Sequence, residues 1–315
     1  MEREINSIIK DIKSLKIQGA RNVAKAAIKA LILQIRKSKA KTKSALYSQL
    51  LKVGDALALT RPTEPMMRNA INNAVKFTFM QIKTNSALDV NALKRTIVKE
   101  AASYLNEMEN SQKKIRGYGS KLIPDNGTVL THCHSSTVTG IFKTAKDIGK
   151  KFSVIALETR PRYQGRITAK ELADHGIDVT LAIDSAVTIF LKKADLCIVG
   201  ADAITSMGDL INKIGTSTVA HIARSQDVSF YSAVELYKYD PLTLFGNREC
   251  IEERESKEIW EDAPKNVKIY NKAFDATAAR YINGYITEIG VIPPQSLWNV
   301  AMQKLGLGLH VTKDI

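Results

Sequence analysis

Four short segments carry the side chains that could do chemistry. The first reads Thr131-His132-Cys133-His134-Ser135-Ser136-Thr137, a thiol between two imidazoles with small hydroxyl residues after it. A cysteine beside a helix start lies near the positive end of the helix dipole, which favours thiolate. The same helix start can cradle a phosphate. The second segment is Glu158-Thr159-Arg160-Pro161-Arg162, followed by Gln164-Gly165-Arg166. Its arginines suit a clamp for anions, and they equally suit ion pairing at a surface. The third, Gly200-Ala201-Asp202-Ala203, offers a carboxylate that could move a proton or cap a helix. The fourth, Asn212-Lys213-Ile214-Gly215-Thr216, adds an amide, an ammonium and a glycine turn. His132 and His134 would share a strand face, so metal ligation has to be weighed, but no further pair of ligands at zinc-like spacing accompanies them. Cys197 and Cys250 read as structural. Neither G-x-G-x-x-G nor a P-loop lysine motif occurs, which removes the usual support for a dehydrogenase or an NTPase.

Something must hold these segments together. Apolar runs of strand type are expected at 128–132, 152–158, 178–183, 195–199 and 228–233. Helix-like stretches lie between them near 137–150, 168–175 and 216–224. That alternation argues a parallel sheet with helices on its faces, and ligands gather beyond the carboxyl ends of such strands. The part before it reads as helical. Ile5, Ile8, Ile9, Ile12 and Leu15 fall at helical spacing. Val23, Ala27, Ala30, Leu31 and Ile35 continue after a break at Gly19, and Ile71, Val75, Phe79 and Ile82, then 88–98, add more. Pro62 and Pro65 put 60–65 in a loop or at a helix start. The texture changes after Gly117, Gly119 and Pro124. The expected class is therefore α/β: an all-helical N-terminal domain over 1–115, then a parallel-sheet domain over 116–315.

The composition is that of a globular protein. The chain has 315 residues, 44% of them hydrophobic, with 46 basic and 32 acidic side chains. This excludes disordered, collagen-like and disulfide-scaffold classes. Three cysteines suit a reducing compartment. The opening MEREINSIIKDIKSLKIQ lacks the pattern of a signal peptide, and no apolar run is long enough for a membrane span, so a cytoplasmic protein is expected. Residues 1–110 carry +11 of the net +14. The densest run, Arg36, Lys37, Lys39, Lys41 and Lys43, lacks interleaved aromatics and any nucleic-acid signature. It reads as a solvated turn between helices, or as a surface that steers phosphorylated ligands; nucleic acid is not an expected partner.

The ordered set THC at 131–133, ETRP at 158–161 with QG at 164–165, GAD at 200–202 and NKIGT at 212–216 resembles one superfamily. It holds methylthioribose-1-phosphate isomerases, archaeal ribose-1,5-bisphosphate isomerases and the regulatory subunits of the exchange factor for translation initiation factor two. The resemblance extends to Gly19-Ala20, Thr60-Arg61-Pro62-Thr63, Tyr285-Ile286-Thr287-Glu288 and Ile292-Pro293-Pro294. It implies a Rossmann-like C-terminal domain. Cys133 and Asp202 set the chain apart from the regulatory subunits, which typically lack both. The THCHS wording and ITAKELADHGI at 167–177 look most like the archaeal isomerases, whereas methylthioribose enzymes usually carry Asn-Ala-Gly where His134-Ser135-Ser136 stands.

The resemblance implies an isomerase that turns ribose 1,5-bisphosphate into ribulose 1,5-bisphosphate in nucleotide breakdown. Cys133 is the expected base and Asp202 the acid, which requires an activated thiol and a raised carboxyl pKa. Phosphate would fall to Arg21 with Gly19 and Ala20, to Arg61 and Arg160, to Ser135 and Ser136, and to Lys213 with Gly215. Gln164 joins this binding set, and Asn212 would orient a sugar hydroxyl or the acid. Relatives often have Arg where Gln18 stands, and Arg21 is the substitute. No metal or cofactor is called for; AMP is implied as an allosteric activator, and homo-oligomers (dimers or hexamers) as the assembly. The competing readings are a regulatory binding protein and a methylthioribose-1-phosphate isomerase, whose substrate differs at C5.

Overall fold

The computed structural model describes residues 3–61, 64–247, 249 and 251–306. It divides into two compact units, Met1–Asn110 and Ser111–Ile315. The first unit is helical: α1 (Arg3–Lys13), α2 (Ala20–Lys37), α3 (Lys43–Ala58), α4 (Pro65–Thr84) and most of α5 (Val90–Leu122). The stripes seen in the sequence meet in one core, where Ile5, Ile12, Val23, Ala27, Leu31 and Ile35 pack with Leu93 and Ile97. Phe79 departs from its stripe and is 43% exposed. Helix α3 follows the turn expected at 36–43, and Leu46, Leu50, Val53 and Leu57 line one of its faces and enter the same core. Thr42 starts it by accepting the Ala45 N–H. Pro65 opens α4 at a position where its missing N–H costs nothing.

Gly117 and Gly119, expected where the helical part ends, lie inside α5 instead. The second of them is there for packing. A Cβ on Gly119 would fall 2.5 Å from Ile141 Cδ1, in helix α6 (Ser136–Asp147). The Ile141 side chain fills the space that a side chain at 119 would need.

In the second unit, β1 (Gly127–His132) leads to α6, β2 (Phe152–Leu157) to α7 (Gln164–Ala173), and β3 (Asp178–Ala182) to α8 (Val187–Leu191). Strand β4 (Leu196–Val199) is followed by β5 (Ala203–Ile204), β6 (Leu210–Lys213), α9 (Thr216–Ser225) and β7 (Ser229–Ala233). Strands β8 (Phe274–Thr277), β9 (Gly284–Thr287) and β10 (Gly290–Ile292) precede α10 (Leu297–Lys304). The main sheet has the order β10-β9-β7-β4-β1-β2-β3. All its pairings are parallel except β9 with β10. Side chains alternate between its faces: Leu130, Ile155, Cys197 and Phe230 enter one core, and Val129, Val154 and Ile198 enter another with Ile141 and Phe142 of α6. The five anticipated strands lie within two residues of their expected ends. The second, antiparallel sheet β5-β6-β8 was not anticipated, and it puts Asn212 and Lys213 on a strand.

Candidate active site

Strand β1 is interior to the sheet, between β4 and β2, and it delivers Cys133 at its carboxyl end. Just past His132 the backbone turns left-handed, with φ +70° at Cys133, a conformation that costs a non-glycine residue about 1–3 kcal/mol. Two threonines hold it there. The Cys133 N–H donates to Thr159 Oγ1 at 2.9 Å, and the Cys133 carbonyl accepts from Thr168 Oγ1 at 2.9 Å. Thr159 follows β2 and is itself left-handed at φ +64°; its hydroxyl donates to the Leu157 carbonyl at 3.0 Å. Thr168 Oγ1, its proton so committed, accepts from His134 Nδ1 at 3.1 Å.

The turn into α6 follows directly. Ser135 caps it by accepting the Val138 N–H, and Ser136 is exposed in its first turn. Gly200, at the end of β4, makes room for that cap. A Cβ there would fall 2.8 Å from Ser135 Cβ and Oγ.

The thiol is the group whose electrostatics differ most from expectation. Cys133 is half-buried, and desolvation of its thiol pushes it up to about 12; the negative charges of Asp202 and Asp184 add to the rise, and the Lys213 ammonium pulls against them. The helix start and cations were expected to activate it, but desolvation outweighs them. His132 is buried and His134 half-buried, and burial lowers the pKa of both. They face different partners: His132 Nε2 donates to the Ile214 carbonyl at 2.9 Å, and His134 turns to Thr168. Among the described residues no cluster of three or more His, Cys, Asp or Glu could hold a metal.

Asp202 sits half-buried on a loop held from three sides. Its N–H donates to the Ile211 carbonyl at 2.9 Å, Ser232 Oγ donates to the Gly200 carbonyl at 2.9 Å, and Lys238 Nζ to the Ala201 carbonyl at 2.6 Å. Lys213 is 6% exposed, its ammonium 5.1 Å from the centre of the Phe274 ring. Asp202 and Asp184 thus set two anions against the one cation, Lys213, that acts on the thiol. Asn212 is buried, and its amide donates to Thr216 Oγ1 at 3.0 Å.

Several expected phosphate contacts are already engaged. Gly215 is left-handed at φ +99°, but its N–H donates to Asp275 Oδ2 at 2.7 Å, and the Ser217 N–H reaches both oxygens of that carboxylate at 3.2 Å. Asp275 therefore occupies the start of α9 in place of an external anion. Burial pushes its carboxyl up to about 6 against the lowering effect of those N–H groups and of His221. The expected arginine clamp also divides. Arg166 pairs with Glu158 at 2.5 Å and Arg162 with Glu258 at 2.8 Å. Arg160 is exposed, stacks at 5.0 Å on Tyr163, bonds its hydroxyl and reaches the Ile259 carbonyl at 3.3 Å. Gln164 Oε1 is buried with no partner among the described residues. Gly165 packs against strand β2, where a Cβ would meet the Leu157 carbonyl oxygen at 1.7 Å.

In the helical unit, Arg21 is only 8% exposed; it donates to the Met108 carbonyl at 2.8 Å and pairs with Glu109 at 2.8 Å, tying α2 to α5. Arg61 is 6% exposed and pairs with Glu64 at 2.9 Å. Both arginines thus have internal partners rather than open guanidinium groups. Gly19 precedes α2 at φ +82°, with no side-chain cap, and Ala20 is buried in its first turn. Pro62, Thr63 and Cys250 lie outside the described residues, while Cys197 is in the core and its thiol is raised by burial.

Sequence reasoning missed Thr159, Thr168, Asp184, Lys238 and Asp275. Asp184 stands just past β3, so the strand-end rule that found the other segments applied to it too. Lys238 and Asp275 gave no such signal; one follows β7 in a short turn, and the other lies on a strand that the sequence did not reveal.

A thiol and a carboxylate lie beyond the carboxyl ends of parallel strands, with a buried lysine beside them, where α/β sheets usually hold their ligands. The chain belongs to the initiation factor 2 subunit family, whose model matches residues 16–294. It is 40% identical over 304 residues to the ribose 1,5-bisphosphate isomerase of Methanocaldococcus jannaschii, covering 96% of each chain. It is 35% identical to the methylthioribose-1-phosphate isomerase of Pelotomaculum thermopropionicum over 99% of this chain and 89% of that one. The crystal structure of a translation initiation factor eIF-2B from Pyrococcus horikoshii OT3 superposes with a TM-score of 0.78 at 30% identity, over 93% of this chain and 98% of that one. No helix among the described residues is long and apolar enough to cross a membrane.

Proposed function

We propose that this chain isomerises ribose 1,5-bisphosphate to ribulose 1,5-bisphosphate. The observation that carries the reading is the Cys133 thiol under the opposed charges of Asp202 and Lys213, in a chain this similar to isomerases of that name. The anomeric oxygen of the substrate is phosphorylated, so its ring cannot open as a free aldose does. The C2 proton must leave as the C1–O4 bond breaks.

Cys133, as thiolate, takes the C2 proton, and the electrons form a C1–C2 double bond. The carboxyl of Asp202 gives its proton to O4 as the ring opens. Asp202 then takes the proton of the C2 hydroxyl, the ketone forms, and the Cys133 thiol returns its proton to C1. The cycle starts with the proton on Asp202 rather than on Cys133. Placing it there removes one of the anions that hold the thiol up and leaves the Lys213 charge in favour of thiolate. Arg160 and the α6 start serve phosphate, and Gln164 Oε1 accepts from a sugar hydroxyl. The scheme uses no metal or cofactor. AMP as activator and a homo-oligomer, dimer or hexamer, belong to the same reading.

The test is ³¹P NMR of the protein with ribose 1,5-bisphosphate and, separately, methylthioribose 1-phosphate, each with and without AMP. Conversion of the bisphosphate supports the reading. Turnover of methylthioribose 1-phosphate alone moves the chain to the sister activity, and no turnover of either makes it a binding protein.

A further inference from the structure

The carboxyl end of β3 also reaches this site. Asp184, in the turn after that strand, bonds one carboxylate oxygen to each of two successive amides: Oδ1 accepts the Thr159 N–H at 2.8 Å, and Oδ2 accepts the Arg160 N–H at 2.8 Å. The residue between this clamp and the thiol is Thr159, fully buried and left-handed. Its hydroxyl holds the Cys133 N–H. His132 lies alongside, with Nδ1 3.3 Å from Thr159 Oγ1 and 3.8 Å from Asp184 Oδ1. Two neighbouring strand-end turns, each with a non-glycine residue at positive φ, are therefore locked to one carboxylate. Such backbone persists only where the surroundings fix it.

We infer that Asp184 is a positioning residue for the thiol: its carboxylate fixes the 159–160 turn, and through the Thr159 hydroxyl that turn fixes the backbone of Cys133 and, in the same movement, the root of Arg160. As a role in isomerisation this rests on the reading above, but the clamp itself is a property of the free protein. Charged amide-to-carboxylate hydrogen bonds are among the stronger ones, so the device suits a site in which the base must not drift from a C–H bond. Asp184 needs no contact with substrate to do this.

The test is the rate at which iodoacetamide alkylates Cys133 at pH 8 in the substrate-free full chain, read by peptide mass spectrometry. Asp184→Asn keeps one acceptor and turns an N–H donor toward the other amide, Thr159→Val removes the hydroxyl and keeps the shape, and Thr159→Ser keeps the hydroxyl. Loosening the turn exposes the thiol, so Asp184→Asn and Thr159→Val should both raise the rate by about tenfold or more, with Thr159→Ser within about threefold of wild type. A rate for Asp184→Asn within that same threefold would overturn the proposal. So would a faster rate in Asp184→Asn with Thr159→Val unchanged, since the aspartate would then act by its charge alone. If Asp184→Asn does not fold by circular dichroism, the Val and Ser variants decide by the same criterion. Failure of wild type to turn over ribose 1,5-bisphosphate would count against the proposed function and leave this alkylation result standing.

Discussion

Asp275 is the carboxylate whose titration the fold makes easiest to read. It sits at the start of α9, accepts the Gly215 and Ser217 N–H groups, and is pushed by burial from 3.8 to about 6. The unfolded chain ionises this group near its ordinary value, so from there up to about pH 6 the folded state binds the extra proton. The contribution to stability is full below the unfolded pKa and falls as pH rises through the folded one. A shift of this size is worth about 3 kcal/mol in total, of which about 2 kcal/mol falls between pH 4 and pH 7. Asp275→Asn removes the titration and keeps an acceptor for the two amides. Urea unfolding of both proteins at matched pH values gives the difference in stability. That difference should move in favour of the variant by about 2 kcal/mol from pH 4 to pH 7, on top of a constant loss of about 1 kcal/mol for the poorer cap. A difference flat to within about 0.5 kcal/mol would show that burial does not control this group, and the account of α9 would fail with it.

Three further outcomes follow from the same geometry. Gly165→Ala puts a methyl at 1.7 Å from the Leu157 carbonyl oxygen; thermal unfolding should show a loss of about 3 kcal/mol or more, or no folded protein at all. Arg160→Ala should raise KM for the bisphosphate by about tenfold or more, whereas Arg166→Ala, which removes a surface pair with Glu158, should change KM by less than about threefold. A thiol held near 12 is almost wholly protonated at neutral pH, so Cys133 in the free protein should react with iodoacetamide about 10³-fold more slowly at pH 8 than an unperturbed cysteine; an ordinary rate would contradict its burial.

Much of the fold was legible because its signals are local. Five parallel strands are short apolar runs between polar turns, and helical spacing revealed α1 and α2 without help from tertiary context. The elements that escaped are short or ambiguous. Strands β5, β6 and β8 have too few residues to show a period. Gly117 and Gly119 looked like breakers, yet Gly119 is small because Ile141 packs against it. In the site, the residue types and their placement at strand ends could be read directly. What could not be read was which groups were already engaged. Arg21 meets Glu109 and Gly215 meets Asp275, partners far along the chain that only folding brings near. Arg61 and Glu64 are three residues apart, so that pairing did have a local signal. The thiol shows the same limit: the dipole and cations beside Cys133 were visible in the sequence, but the burial that outweighs them was not.

In the proposed reaction the Cys133 thiol moves the proton from C2 to C1. The most direct test of that step is the turnover of ribose 1,5-bisphosphate by Cys133→Ala beside wild type, followed by ³¹P NMR, with circular dichroism confirming that the variant is folded. Turnover should fall by at least about 10²-fold, the lower bound for losing a placed acid or base. A folded Cys133→Ala variant that turns over within about tenfold of wild type would contradict it.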